Sequence, residues 1–411
     1  MIPRWRSLAA AVVLLAACRE AEAPPAADRP VIGADGENIV TLTRGAVVIS
    51  RTGEATLNTS AVQAIDSDPS SFWATPPGDR DETMTIALPG ETYLRRVGFA
   101  SGRRGGGNLA KTLRFEASLD GASFQPLATV TLERRGDAWR DVTPAKARYL
   151  RVTTEAAFAP GAANVKIPIV HAAGTVRPSA RPAIDGGWSI NGMDAWFESS
   201  GDAVRGVTAE NPPRLLEGGW DGPVLRLAWS RRNEHGVVAV TVDPEGRFLN
   251  GILWYLEAHR PFFGTTWFGQ RAGIPEPSSG GAPPQMVFLR SDGHYPLYGL
   301  SFDGERLRPH SRAAIREVAS LIGRSEPGRL RFVAHYVGTG TAESDRRLAA
   351  ARLDRLREAL RGAGVDISRV EFVAAGRAAA LAANDRPWTP LQVVLNNRID
   401  LELVRRAPQR R

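Results

Sequence analysis

Between Leu330 and Arg361 the chain changes its hydrophobic period from two to about four. Leu330, Phe332 and Ala334 alternate with Arg331 and Val333, which reads as a strand with one better-buried face. Gly338 and Gly340 punctuate a loop. Leu348, Arg352, Leu356 and Leu360 then recur every four residues, along one side of a helix. Strand, loop and long helix in that order confine this part of the chain to an α/β arrangement. They also put Arg352 on or beside the apolar stripe. A guanidinium keeps its charge, so at such a position it needs an anionic partner, either a side chain or a ligand.

The 411 residues allow two to four domains, and 23% charged with 43% hydrophobic residues is ordinary globular composition. The net charge of +8 raises nucleic acid as a partner. No Lys/Arg run with interleaved aromatics supports it, so no nucleic-acid partner is expected. A basic surface suits anionic envelope polymers or lipids. The one cysteine, Cys18, excludes an internal disulfide. It closes a short basic start and an apolar run, Leu8–Ala17, with the reading of an export signal. Leu15-Ala16-Ala17-Cys18 resembles the bacterial lipoprotein box. That resemblance implies a signal peptide over 1–17, acylation of Cys18 and anchoring in outer-membrane lipid, with the chain facing the periplasm.

Residues 18–30 are Ala/Pro/Glu-rich and read as a flexible tether. Residues 31–176 carry many short β signals separated by turns, with almost no helical period, as in a β-sandwich. Three of its segments resemble the discoidin, or coagulation-factor type C, family. They are Ala64-Ile65-Asp66-Ser67-Asp68 running to Trp73, the turn Ser118-Leu119-Asp120-Gly121 to Phe124, and Ala147-Arg148-Tyr149-Leu150-Arg151-Val152. The resemblance implies a jelly-roll whose end loops bind glycan, lipid or protein. It also implies a structural calcium at Asp66 and Asp68, with Ser67 standing where the family has glycine. The same two aspartates equally read as a turn capped by its own side chains. The basic glycine loop Arg103–Asn108 is a further candidate contact for an acidic glycan.

Residues 177–185 read as a linker, and 186–270 as a second β unit dense in Gly and Trp, a meander in which each Trp covers a glycine. Residues 271–285 are a Pro/Gly/Ser linker, and 405–411 a basic tail. From 286 to 404 strands and helices alternate as βαβαββ. This segment resembles the OmpA C-terminal-like, peptidoglycan-associating family through Ala334–Gly340, Leu348–Arg352, Gly364-Val365-Asp366, Asn384-Asp385 and Asn396-Asn397-Arg398-Ile399-Asp400. The resemblance implies that the diaminopimelate of the peptidoglycan peptide stem is bound by Arg352, Asp345, Thr339 and Arg398. Val337 stands at the family's aspartate, and Asp345 at its helix asparagine. Three outcomes follow from that: binding through changed contacts, a different ligand or protein, or a structural domain in which Arg352 pairs internally, for example with Asp400.

The expected fold class is therefore multidomain β plus α/β: a jelly-roll sandwich, a Gly/Trp-rich β domain and an OmpA-like module. No catalytic constellation or phosphate loop stands out. The expected function is non-catalytic: an outer-membrane lipoprotein tethered to peptidoglycan, with its sandwich on a glycan or envelope protein. The alternatives are an envelope adaptor whose OmpA-like domain no longer binds the wall, and a periplasmic glycan-processing enzyme.

Overall fold

The computed structural model describes residues 37–78, 81–103, 106–231, 234–255, 264–274, 294–324, 329–338, 340–378 and 389–404. Cys18 with its signal and tether, Thr339, the Asn384-Asp385 pair, most of linker 271–285 and the tail lie outside the described residues. Among the described residues no helix is long and apolar enough to cross a membrane.

Strands β1 (Val47–Arg51), β2 (Trp73–Ala74), β3 (Thr83–Ala100), β4 (Ala110–Ser118), β5 (Gln125–Thr131), β6 (Asp137–Ala157), β7 (Lys166–Ile167) and β8 (Ile169–Pro178) form a sandwich. The large sheet runs β1-β3-β6-β4-β5, with β8 also on β3, while β2 pairs with β7. β3 changes partner along its length. Its first half lies between β1 and β6, its second between β8 and β6. The switch falls at Pro89-Gly90. Proline has no ladder donor there, and a Cβ on Gly90 would stand 2.1 Å from the Arg177 carbonyl. Trp73 is fully buried and donates its indole N–H to the Gly53 carbonyl at 2.9 Å.

Strands β9 (Gly186–Ile190), β10 (Met193–Ser200), β11 (Ala203–Thr208), β12 (Leu215–Asp221), β13 (Val224–Arg231), β14 (Glu234–Val242), β15 (Phe248–Tyr255) and β16 (Thr265–Arg271) follow as an antiparallel meander. β16 returns to pair with β9, so the meander closes into an eight-stranded barrel. Closure was not part of the sequence expectation. Eight strands leave an interior just wide enough for side chains, and Trp188, Phe197, Leu227, Trp229, Val240 and Trp267 fill it. Trp229 covers its cross-strand partner Gly236, where a Cβ would come within 2.5 Å of the indole nitrogen.

β13, β14 and β15 are buried on both faces. Their outward Ala228, Val237, Ala239, Ile252 and Trp254 join the sandwich core. Three polar side chains on this wall serve the sandwich backbone. The Asn250 carboxamide accepts from Val48 N–H at 2.5 Å and donates to the Val48 carbonyl at 3.1 Å. Thr241 donates to the Leu42 carbonyl at 2.9 Å, and Thr266 to that of Leu57 at 2.5 Å. Peptide groups of the sandwich are thereby tied to the barrel, the Leu42 carbonyl accepting from Gly45 N–H as well.

The C-terminal unit comprises β17 (His294–Pro296), the hairpin β18 (Phe302–Asp303) and β19 (Arg306–Leu307), α1 (Arg312–Arg324), β20 (Arg329–His335), α2 (Ala342–Gly362), β21 (Val370–Gly376), α3 (Pro390–Asn396) and β22 (Arg398–Val404). Its sheet runs β17-β22-β20-β21, with only β20 and β21 parallel. Three details differ from the sequence expectation. Tyr298–Phe302 is not a strand. A helix, α3, stands between the last two strands, started by Pro390 and a Thr389–Gln392 capping box. The buried stripe of α2 is Asp345, Ala349, Leu353, Leu356 and Leu360, which moves Arg352 to the flank.

The barrel also docks on this unit. Arg226 of β13 donates to the carbonyls of Val394 and Asn397 at 3.1 and 2.6 Å, and its guanidinium carbon stands 5.2 Å from the centre of the Tyr298 ring.

Candidate functional sites

At one end of the sandwich, three loops are tied together. Asp66-Ser67-Asp68 opens the first. The Asp66 carboxylate accepts from Asp68 N–H at 2.7 Å and from the Ser71 hydroxyl at 2.9 and 2.8 Å. Asp68 accepts from Ser70 N–H at 2.8 Å. Ser67 adopts φ +64°, the left-handed region that favours glycine, so the turn keeps its shape with a serine in place. Burial pushes the Asp66 carboxyl well above the usual carboxylate range, against the hydrogen bonds that lower it.

Calcium takes about six to eight oxygen ligands. Both Asp66 oxygens already accept from Ser71, and no group of three or more His, Cys, Asp or Glu occurs among the described residues. The turn is closed by its own hydrogen bonds.

The second and third loops are 101–109 and 158–166. Arg103 N–H donates to the Pro69 carbonyl at 2.6 Å, and Lys166 N–H to that of Asn108 at 2.9 Å. The side chains of Asn108 and Asn164 meet at 2.7 Å. The Lys166 ammonium lies 4.7 Å from the Phe72 ring centre. Arg103 is exposed, and Asn108, Asn164 and Lys166 are half-buried. Two carboxamides, one cation and an aromatic ring thus meet at one loop end, and the Arg103 backbone is tied to the same loops. Such groups hydrogen-bond hydroxyls and pack against a sugar ring. The sequence singled out Arg103–Asn108 but not Phe72, Asn164 or Lys166. Their signal was only proximity across the fold.

The second site lies in the C-terminal unit. Arg352 donates Nε to the Gly304 carbonyl at 3.0 Å, and its guanidinium carbon stands 5.2 Å from the Phe302 ring and 4.8 Å from the Tyr336 ring. Burial lowers its pKa, with the Arg226 charge in the same direction and Asp221 opposing. No carboxylate among the described residues forms an ion pair with it.

The other expected ligands are placed differently. Asp345 is buried and ion-paired with Arg377, which also donates to the carbonyls of Gly338 and Gly340. Arg398 is turned inward. It donates to both Asp400 oxygens at 2.9 and 3.1 Å, and His335 Nε2 lies 3.0 Å from the same carboxylate. The expectation that Arg398 reaches a ligand is therefore corrected, because an unpaired guanidinium at that depth would be too costly. Asp400, proposed as an internal partner of Arg352, serves Arg398 and His335 instead. Val337 is buried, with its N–H on the Asn397 side-chain oxygen at 3.0 Å.

The N-terminal unit is thus a β-sandwich with three loops tied together at one end. Residues 48–165 match the family model of the F5/8 type C domain, so the N-terminal unit contains an F5/8 type C domain. Among solved structures, the chain is similar to a putative chitobiase fragment from Bacteroides thetaiotaomicron at 18% identity, over 38% of this chain and 99% of that one, with a TM-score of 0.32. It is also similar to the family 32 CBM from Clostridium perfringens NanJ in complex with galactose, at 15% identity over 33% and 96%, TM-score 0.29. A third is CpGH89CBM32-5 from C. perfringens with GalNAc-β-1,3-galactose, at 14% identity over 34% and 100%, TM-score 0.29. No curated protein matches the sequence.

Proposed function

We propose that the chain is a non-catalytic binding protein of the bacterial envelope, lipid-anchored through Cys18 in the outer membrane, whose F5/8 type C domain holds a glycan. The observation that carries this is the loop end, where Asn108, Asn164, Lys166 and Arg103 converge beside Phe72. A glycan-array measurement on the full chain tests it. Asn164→Ala with Lys166→Ala is expected to weaken retained glycans about tenfold, as for loss of one or two hydrogen bonds, one of them charged. Equal retention by the double variant rules out this face.

The peptidoglycan tether rests on Arg352, whose guanidinium meets a carbonyl and two rings and forms no ion pair among the described residues. A carboxylate of the peptide stem fits such a group. In a pull-down with purified peptidoglycan, Arg352→Ala is expected to abolish retention. Equal retention of variant and wild type removes Arg352 as the anchor.

The internal pairing of Asp345 and Arg398 favours a second reading, an envelope adaptor whose OmpA-like module has become structural. Protein partners co-purifying from envelopes without wall binding would support it.

A further inference from the structure

The strand edges of the sandwich are treated unequally. At β1, Val48 gives both backbone groups to Asn250 of the barrel, the N–H at 2.5 Å and the carbonyl at 3.1 Å. At β8, the Asn38 side chain accepts from Ala172 N–H at 3.0 Å and donates to the Val170 carbonyl at 2.9 Å, and Ile39 N–H donates to the Ala172 carbonyl at 2.9 Å. The first half of β6 pairs with β3 on one side only. It carries Asp137, Arg140, Asp141 and Pro144, charges and a proline that discourage a further strand.

β5 has none of these covers among the described residues. It stands last in the sheet order, paired with β4. Pro126 and a bulge at Leu127 protect its start. From Leu127 to Leu132 there is neither charge nor proline. Leu132 N–H donates to the Lys111 carbonyl at 2.8 Å, and antiparallel pairs alternate between bonded and open. Leu113–Val130 and Phe115–Ala128 are therefore bonded pairs, whereas Thr129 and Thr131 turn their N–H and C=O groups away from β4. Both threonines are exposed, with Val130 buried between them. An uncharged, β-branched edge with outward peptide groups is a template for one more strand.

The charges at the two ends of β5 select that strand. Lys111 and the exposed Arg134 lie at the end after Thr131. The exposed Asp120 lies at the end before Gln125, and the N–H groups of Ser123 and Ala122 hold its carboxyl well below the usual carboxylate range, so it stays anionic. A second β5 laid antiparallel brings each basic end beside the other copy's Asp120 turn, and the uncharged strands place no like charges opposite one another. Such a contact is isologous and closes at two copies.

We propose that the chain pairs with a second copy of itself through β5, antiparallel, so that one sheet runs through both sandwiches. The two loop ends then point in opposite directions, and on the glycan reading of that end one dimer joins two glycan chains. Seven residues a side bury less than the ~1,200–2,000 Å² of a stable interface, which sets a weak pair with a Kd on the order of 10–100 µM.

Sedimentation velocity of the full chain between about 1 µM and about 500 µM tests this. A concentration-dependent passage from monomer to dimer is expected. Thr129→Lys with Thr131→Lys sets like charges on both copies and is expected to weaken pairing at least about tenfold, with far-UV circular dichroism unchanged because both side chains are exposed. Arg134→Glu, in the exposed turn after β5, is expected to weaken it severalfold and leaves every strand untouched. A chain that stays monomeric throughout, or a dimer unmoved by both variants, overturns the proposal. Neither result bears on the glycan reading, whose test measures ligand retention by other residues.

Discussion

The sandwich loop end and the cleft of the C-terminal unit carry similar groups and treat them oppositely. At the loop end, cations and carboxamides remain exposed or half-buried. In the C-terminal unit, Asp345 and Arg398 are buried, and each meets an opposite charge of its own chain. The difference shows how the same kinds of charged group can serve as surface or as architecture. Once a charged group is taken out of water, leaving it unmatched costs several kcal/mol, so an internal counter-charge replaces any ligand as its permanent partner. Arg352 alone among the three described residues expected to hold the wall is not matched in this way.

The comparison breaks most severely at Asp400. Its replacement by Ala removes the counter-charge of Arg398, which keeps the Asn396 side-chain oxygen at 3.1 Å, and leaves His335 without that carboxylate. A loss of about 3–5 kcal/mol is expected, read by urea unfolding. A loss below about 1 kcal/mol would mean that the pair contributes no more than a surface ion pair.

Glu217 sharpens the contrast through pH. It lies where the barrel meets α1, 3.4 Å from Arg205, which Glu317 also engages. Burial raises its pKa from 4.5 to about 8, against the Arg205 charge that lowers it. The unfolded chain releases this proton near the ordinary value, while the folded chain holds it until about pH 8. Over that window the folded state binds more protons, so stability falls as pH rises. Glu217→Gln is expected to flatten the slope and to add ~1–3 kcal/mol at pH 8. An unchanged slope in thermal melts at pH 5 to 8 would place its origin elsewhere.

The smallest effect belongs to the loop end. Because the Asp66–Ser71 turn closes on its own hydrogen bonds, chelation with EDTA is expected to shift the melting temperature by less than about 2 °C. A larger drop, restored by calcium, would show that an ion shapes this loop after all.

What the sequence revealed follows contact distance. The turn at Ser118–Ser123 was legible because its bonds are local: Ser118 Oγ accepts from Gly121 N–H, and Asp120 from Ala122 and Ser123 N–H. Barrel closure was not, since it depends on pairing Gly269 with Ile190, far apart in the chain. β13 to β15 show little alternation because the sandwich covers their outer faces, so nothing in their pattern marked an inside. α3 escaped because seven residues are too few for a period to register. The pairing of Asp345 with Arg377 was hidden by a sequence separation of 32. Arg352 was placed from a four-residue repeat, whereas the helix advances 3.6 per turn, and that drift set it on the flank.

The joint between sandwich and barrel has a consequence for how the two can diverge. Asn250, Thr241 and Thr266 grip peptide groups, and a peptide group is the same whatever side chain it carries. Leu57, about half exposed, can therefore be exchanged for other residues without disturbing its hydrogen bond, whereas the side chains of Leu42 and Val48 are held by core packing. The barrel has no such freedom at its three gripping positions. Mutational tolerance at this seam is uneven: a library randomised at Leu57 should keep many joined survivors, and one randomised at Asn250 few.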